Sequence, residues 1–229
     1  MYHRATLLLL AGVLGCSSNP GAPTTPDGGT GQLSLLNALA AGDGVTLKLD
    51  GTTMTLPASG RSGTAIVTAG MHQLQAFNLQ GQSVGSATFT IGDGTHRTTV
   101  LSGSDGHYVM LVNPIDTAAA PVVDGAKMRL VHTVTGAPSM DAYLFEVGHA
   151  ADSASRFLTP FQFGSGSDPR FPGYAVRPSG QYDVWLKAAG TDNVLVQFGP
   201  ITVNNGDVYS FVLASNAAGA MEIRAVKEN

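Results

Sequence analysis

The sequence has a single cysteine, Cys16, among its 229 residues. One thiol cannot form an intramolecular disulfide, so other interactions must stabilise the fold. It also cannot supply the several closely spaced ligands that a thiolate zinc site needs. In an exported protein, a lone cysteine is a reactive thiol, an intermolecular bridge or a modified residue.

Charged residues are also scarce, at 12% of the chain, and the formal net charge is −4. Lys and Arg are scattered along the sequence rather than clustered. The chain therefore lacks the basic patch of a nucleic-acid-binding protein and the polybasic segment that binds anionic membranes. We expect no nucleic acid among its partners.

The N-terminal apolar run, Leu7–Leu14, is too short to cross a bilayer as a helix. Arg4 precedes this run, and a basic residue followed by a short apolar stretch is typical of an export signal. The run ends in VLGC at 13–16, which resembles the lipobox of bacterial lipoproteins. An ordinary signal peptide, or an N-terminal core helix with an incidental cysteine, is the alternative.

The lipobox resemblance implies cleavage between Gly15 and Cys16 and acylation of Cys16, which would anchor the protein to a membrane through lipid. Each buried CH₂ contributes about 0.8 kcal/mol, and more than one acyl chain makes such an anchor stable. By analogy with lipoprotein sorting, Ser17 rather than Asp after the cysteine favours the outer membrane or cell surface over the inner membrane.

Downstream of Cys16, residues 17–31 contain no large apolar side chain. Such a stretch cannot bury enough surface to offset the entropy lost on ordering. We therefore predict a signal peptide at 1–15 and a flexible tether at 16–30.

The remainder of the chain contains two copies of one pattern. Four blocks recur in the same order: 32–51 with 127–146, 69–81 with 179–190, 89–103 with 201–215, and 105–112 with 218–226. We predict two tandem domains, 31–113 and 127–229, joined by a semi-rigid, proline-containing linker at 114–126.

Short alternating runs separated by Gly, Asp and Asn predict strands in both copies. In the first copy they fall near 32–39, 44–50, 63–68, 71–79, 85–91, 95–102 and 106–113. No clear helical periodicity occurs beyond the signal, and seven strands in such a length favour a sandwich. The predicted fold is all-β, with two tandem immunoglobulin-like antiparallel β-sandwich domains.

The segment MRLVHTVTGAPSMDAYLF at 128–145 resembles the bacterial domain of unknown function numbered 4397. The resemblance is carried by Met128, Arg129, Leu130, Val131, His132, Ala137, Pro138, Asp141 and Tyr143. The first copy departs from the pattern at Asn37, Asp43, Thr46 and Lys48. The resemblance implies an exported β-domain, often repeated and surface-anchored, with no established activity.

Patterns that suggest catalysis or metal binding have simpler interpretations. GQSVG at 81–85 fits a nucleophile motif, but an alternating strand follows it where that motif needs a helix. Asp-Gly pairs are typical of hairpin turns rather than of calcium sites. His72 would form a metal site only if pairing brought it near His96 or His107. We predict no metal and no cofactor.

The second copy contains an insertion between Phe145 and Ala175, twice as long as the matching stretch 50–65. Its candidate interaction residues are Arg156, Phe157, Phe161, Phe163, Arg170, Phe171 and Tyr174. Clustered aromatics with arginine are typical of interaction surfaces. The alternative is that these rings cover a sheet end or pack between the domains.

These observations favour a non-catalytic, lipid-anchored binding or structural module of the cell envelope, with an envelope protein or polysaccharide as partner. The alternative is an envelope-polymer hydrolase or metal-dependent enzyme that uses His132, Asp141 or Asp168.

Overall fold

The computed structural model describes residues 28–40, 44–104, 108–112, 122–152, 155–163 and 173–229. The predicted signal peptide, with Gly15 and Cys16, lies outside these ranges, as do 16–27 of the predicted tether and 114–121 of the predicted linker. The described residues form strands, turns and irregular backbone, which confirms the prediction of an all-β fold. No helix within these ranges is long and apolar enough to cross a membrane.

The first half of the chain contains eight of the described strands. They are β1 (Thr30–Leu39), β2 (Val45–Leu49), β3 (Thr52–Met54), β4 (Arg61–Thr68), β5 (Gly70–Asn78), β6 (Ser83–Ile91), β7 (His96–Gly103) and β8 (Val109–Val112). The seven predicted strands are all present. The sequence did not reveal β3, because three residues are too few to display alternation.

The second half contains the other eight described strands. They are β9 (Ala126–His132), β10 (Met140–Glu146), β11 (Arg156–Phe161), β12 (Ala175–Arg177), β13 (Gly180–Ala188), β14 (Val194–Val203), β15 (Val208–Ser215) and β16 (Met221–Lys227). Strand β11 lies in the insertion that the sequence singled out, and β12 begins where the insertion ends.

Each half stacks an inner sheet on an outer sheet. The inner sheets have the orders β4-β1-β7-β8 and β12-β9-β15-β16, and the outer sheets have the orders β3-β2-β5-β6 and β11-β10-β13-β14. Neighbours are antiparallel except in the pairs β1/β7 and β9/β15 and at the contact of β4 with β16. The predicted β-sandwich architecture is confirmed, and the parallel pairs β1/β7 and β9/β15 depart from the antiparallel pairing that was expected.

An apolar core fills the space between the inner and outer sheets of each half. In the first half it includes Leu33, Leu47, Leu74 and Ile91. In the second half it includes Met128, Leu144, Phe161, Tyr182 and Phe211. Full burial of one such aliphatic or aromatic side chain contributes about 1.5–3 kcal/mol, so these cores hold the sheets of each half together.

A third apolar cluster joins the two halves, because their inner sheets also face each other. Its members are Leu36, Ala38, Val100, Val131, Val212 and Val226, with Leu111 packed at its margin. At the edge, Arg61 of β4 pairs with Lys227 of β16, so that the inner sheets join into one of eight strands. The two halves therefore form four stacked layers.

Polar contacts reinforce this interface between the inner sheets. The Arg224 guanidinium donates hydrogen bonds to the carbonyls of Ala38 and Gly103, each at 2.6 Å. The Ser102 hydroxyl donates to the Thr133 hydroxyl at 2.5 Å. These contacts satisfy buried polar groups that would otherwise destabilise the interface.

Burial on both faces explains the sequence of the inner strands. Seven consecutive residues of β1, from Leu33 to Leu39, are buried. Alternating side chains of this strand, such as Leu35 and Leu36, enter two different apolar clusters. A strand buried on both faces is apolar at most positions, and the buried polar residues Ser34 and Asn37 of β1 are hydrogen-bonded. Strand β5, by contrast, has one exposed face and alternates.

Replacing Leu36 by Ala should destabilise the whole protein. Leu36 is fully buried at the interface, so we expect a loss of about 2–5 kcal/mol in the free energy of unfolding. Leu79, which is 78% exposed, provides the matched control, and Leu79→Ala should change stability by less than about 0.5 kcal/mol. Urea unfolding measures both values. Equal effects of the two substitutions would contradict the burial of Leu36 between the inner sheets.

Candidate functional site

His132 lies at the end of β9 and is fully buried. Its ring packs against Phe161, with the ring centroids 4.9 Å apart. Nδ1 accepts a hydrogen bond from the Val134 N–H at 3.2 Å, whereas Nε2 has no hydrogen-bond partner among the described residues. Burial lowers the pKa of His132 to about 4, so the ring is neutral near pH 7.

Asn37 occupies the matching position at the end of β1 and makes the same local contact. Its Oδ1 accepts a hydrogen bond from the Leu39 N–H at 3.0 Å, two residues further along the chain. Its amide nitrogen donates to the Pro57 carbonyl at 2.7 Å. In both halves, the side chain at this position satisfies a backbone donor where the strand ends. This parallel supports a structural role for His132.

Asp141 is also held by the fold rather than presented to solvent. Its carboxylate accepts hydrogen bonds from the Thr159 hydroxyl and from the Gly190 N–H, the latter at 3.0 Å. The hydrogen bond from Thr159, followed by that from Gly190, is the main cause that holds the pKa of Asp141 below its usual value. Asp141 thereby fastens β11 and the β13–β14 turn to β10.

Tyr143 lies between two cations on the outward face of β10. The Lys187 ammonium is 4.8 Å and the Arg156 guanidinium 5.8 Å from the centre of its ring. Lys187 also donates a hydrogen bond to the Ala151 carbonyl at 3.0 Å, which draws the loop after β10 across this face. Tyr143 is consequently 4% exposed.

The first half contains the same cation–π pair with its members exchanged. Lys48 of β2 stands where β10 has Tyr143, and its ammonium is 5.0 Å from the centre of the Phe77 ring on β5. Phe77 pairs with Thr46 just as Lys187 pairs with Asp141, so the ring and the cation have changed strands. The departure at Lys48 therefore preserves the contact.

Those predicted interaction residues of the insertion that the structure describes do not form one surface. Phe161 is fully buried in the core of the second half, so its assignment to an interaction surface is wrong. Phe157 is half-buried and packs against the same core. Phe163 is 47% exposed, and Arg156 is exposed beside Tyr143. Arg170 and Phe171, like Asp168, lie outside the described residues.

Tyr174 belongs to a buried charge network rather than to an exposed patch. Its ring lies 4.4 Å from the Arg129 guanidinium, and its hydroxyl donates to the Glu228 carboxylate at 2.7 Å. The Arg129 and Glu228 side chains are 2% and 4% exposed and are paired at 3.3 Å. The Ser210 hydroxyl accepts from Arg129 and donates to Glu228. This network secures the chain directly before β12.

His72 is hydrogen-bonded to two acceptors. Nδ1 lies 2.7 Å from an Asp50 carboxylate oxygen, and Nε2 lies 2.7 Å from the Thr68 carbonyl. Burial acts to lower the pKa of His72, but these hydrogen bonds and the charge of Asp50 outweigh it and raise the pKa. Among the described residues, no group of three or more His, Cys, Asp or Glu side chains could hold a metal ion. His107 lies outside them.

The GQSVG segment forms the turn between β5 and β6. The Asn78 side-chain oxygen accepts hydrogen bonds from the backbone N–H groups of Gln80 and Gln82, and Gly81 has φ 75°. Strand β6 begins at Ser83, so no helix follows. The hairpin interpretation is confirmed.

A groove of about 370 Å³ opens between the end of β10, the loop that follows it, and β12. Its walls include Phe145, Glu146, His149, Asp152, Arg177 and Tyr182. Glu146 and His149 are exposed, with 4.0 Å between their side chains. Hydrogen-bond donors and acceptors therefore line a concave surface that is open to solvent, as they do in many ligand sites.

Two aromatic residues fix the positions of the polar groups in this groove. The Arg177 guanidinium lies 5.7 Å from the centre of the Phe157 ring. The Tyr182 hydroxyl donates to the Pro178 carbonyl at 2.9 Å and to the Glu146 carboxylate at 3.4 Å. Burial and the nearby charge of Glu146 raise the pKa of Tyr182, so its hydroxyl stays protonated and donates.

The sequence did not single out the polar residues of the groove. Glu146, His149 and Asp152 lie in the insertion, but nothing in their spacing indicates that they converge. Arg177 and Tyr182 lie after it, on β12 and β13. A long insertion next to an edge strand was the available signal, because long loops in compact domains are often functional.

No protein-family model and no curated protein matches this chain. Among solved structures, the Bacillus anthracis TIE protein is similar over 81% of this chain at 11% identity and a TM-score of 0.26. The chain spans 34% of that protein's length. The family 26 carbohydrate-binding module CBMbc of Eubacterium rectale Amy13K, solved with maltoheptaose, is similar over 87% of this chain and 97% of its own length. That likeness has 11% identity and a TM-score of 0.25, and neither likeness establishes a shared function.

His132 should make stability depend on pH. Its pKa is about 4 in the folded protein and about 6.5 when exposed, so the unfolded state binds the proton first and stability falls as the pH drops below 6.5. Between pH 7.5 and 5 this shift amounts to about 2 kcal/mol. Urea unfolding across this range should show the loss in the wild type and not in His132→Asn, which copies the first half. His149→Asn is the exposed control and should keep the pH dependence of the wild type. If the stability of His132→Asn fell with pH as steeply as that of the wild type, buried His132 would not be the cause.

Proposed function

We propose that this protein is an exported, lipid-anchored binding protein without catalytic activity, and that the groove beside β12 binds a polysaccharide of the cell envelope. The groove supports this proposal because it is preformed, open to solvent and lined by both hydrogen-bond donors and acceptors. The tether predicted at 16–30 would hold the two β-sandwich halves away from the membrane.

The chemistry of the groove fits a sugar ligand. Sugar hydroxyls donate to and accept from neighbouring groups, so they pair with the carboxylates of Glu146 and Asp152 and with the guanidinium of Arg177. Hydrogen bonds to charged partners contribute about 1.5–3 kcal/mol each. Pro178, which is exposed, adds apolar surface for the C–H faces of sugar rings.

Hydrolysis of envelope polymers has less support among the described residues. That alternative depended on His132, Asp141 and Asp168. His132 is neutral and enclosed by the core, and Asp141 accepts two hydrogen bonds from the fold, so neither side chain is available to a substrate. A binding role needs no such group.

The polysaccharide proposal predicts binding that depends on Glu146. The full chain in non-ionic detergent should pellet with at least one of purified peptidoglycan, cellulose, xylan, starch and chitin. Soluble fragments of that polymer should change the fluorescence of Trp185, the single tryptophan, because its ring contacts Phe145 of the groove at 5.3 Å between centroids. Glu146→Gln should weaken binding about tenfold, which corresponds to about 1.4 kcal/mol.

Asp93→Asn is the matched control, since Asp93 is exposed in the first half. It should leave the affinity unchanged, and both variants should keep the wild-type melting temperature. If the protein pellets with none of the five polymers, polysaccharide binding is contradicted.

The anchor proposal predicts that Cys16→Ala releases the protein from membranes. Without the thiol there is no site for acylation, and the stable attachment that acyl chains provide is lost. Fractionation of cells that express each form should find the wild type in the membrane pellet and the variant in the soluble fraction. Ser17→Ala should fractionate as the wild type does. Cys16→Ala protein that stays in the pellet would refute acylation.

A further inference from the structure

A second depression lies directly beside the groove. It also measures about 370 Å³, and its walls include Asp124, Gly125, Val176, Ser179 and Asn205. Arg177 and Pro178 line both depressions. The end of β12 is therefore a ridge with a concave surface on each side, and both surfaces are lined by polar and apolar groups together.

The ridge is fixed in place by contacts on both sides. On the side of the groove, Arg177 stacks over Phe157, and the Pro178 carbonyl accepts the hydrogen bond from Tyr182. On the other side, a side chain at Gly125 would place its Cβ 2.5 Å from the Arg177 carbonyl, so only glycine fits there. The Gly125 N–H donates to the Asn205 side chain at 3.0 Å, which secures the floor of the second depression.

We infer that the two depressions form one extended site, and that it takes a linear sugar chain lying across the ridge of Arg177 and Pro178. This inference rests on the proposed polysaccharide-binding function and adds a requirement for chain length. Acceptors stand on both sides of the ridge, with Glu146 and Asp152 on one and Asp124 on the other.

A chain gains more from this geometry than a single sugar does. Each depression is open, so one sugar contacts one side of the ridge and remains partly solvated. When a chain occupies the first depression, its next sugars reach the second at a high effective concentration and lose little further translational freedom. Pro178 presents an exposed apolar surface between the two depressions on which a sugar ring can lie.

The test is the dependence of affinity on chain length. The full chain in detergent is titrated with cello-, xylo-, malto- and chito-oligosaccharides of one to six sugars, with Trp185 fluorescence and calorimetry as readouts. For at least one series we expect the affinity to rise at least about tenfold between one and four sugars.

Two substitutions separate the depressions. Asp124→Asn should weaken binding of the four-sugar chain and reduce the ratio of four-sugar to single-sugar affinity, whereas Glu146→Gln should weaken binding of both ligands. Asp124 is exposed, so Asp124→Asn should keep the wild-type melting temperature. Asp93→Asn is again the control.

Each outcome separates this inference from the proposed function. If a polysaccharide pellets the protein while affinity in all four series is independent of length, or while Asp124→Asn has no effect, the extended site is wrong and polysaccharide binding stands. If no polysaccharide pellets the protein, the proposed function fails and this inference fails with it.

Discussion

The apolar layer between the two inner sheets is the constraint on which the rest of this structure depends. Leu36, Val131 and Val212 pack there from strands that also contribute to the cores of their own halves. A one-residue shift of such a strand would exchange its two faces, so that side chains fitted to one close-packed apolar layer would enter the other and pack poorly there. The interface therefore fixes both inner sheets, and each outer sheet is positioned by the core that it shares with an inner one.

Buried arginines make specific polar contacts at the margins of the apolar layer. Arg224 reaches two backbone carbonyls of the opposite half, and Arg129 is enclosed by Ser210, Tyr174 and Glu228. Loss of one partner from such a buried pair costs several kcal/mol, because the remaining charge stays desolvated. The Arg129 network lies next to β12, so the same contacts that satisfy a buried guanidinium also position the strand that separates the two depressions.

The two halves share a topology and differ in what they present to solvent. The exchanged pair, Lys48 with Phe77 and Tyr143 with Lys187, keeps a cation over a ring at the same place in both outer sheets. In the first half a three-residue strand, β3, completes the outer sheet. In the second half the insertion provides a longer strand, β11, and a loop that crosses the sheet to Lys187. The groove is lined by residues of that insertion together with the strands beside it.

The sequence by itself determined the local features of this protein. Alternation along single strands and Gly-rich turns identified the all-β class and seven strands of the first half, because these signals come from residues close together in the chain. The matched blocks align Asn37 with His132. In the structure both side chains accept a hydrogen bond from the backbone N–H two residues further along the chain. Tertiary structure alone decided which faces are covered. His132 and Phe161 were candidates for function by residue type, yet packing encloses both, while Glu146 and Arg177 meet in the groove only because β10 and β12 end at the same place. Residue type carries chemistry, but exposure and convergence depend on contacts between distant parts of the chain.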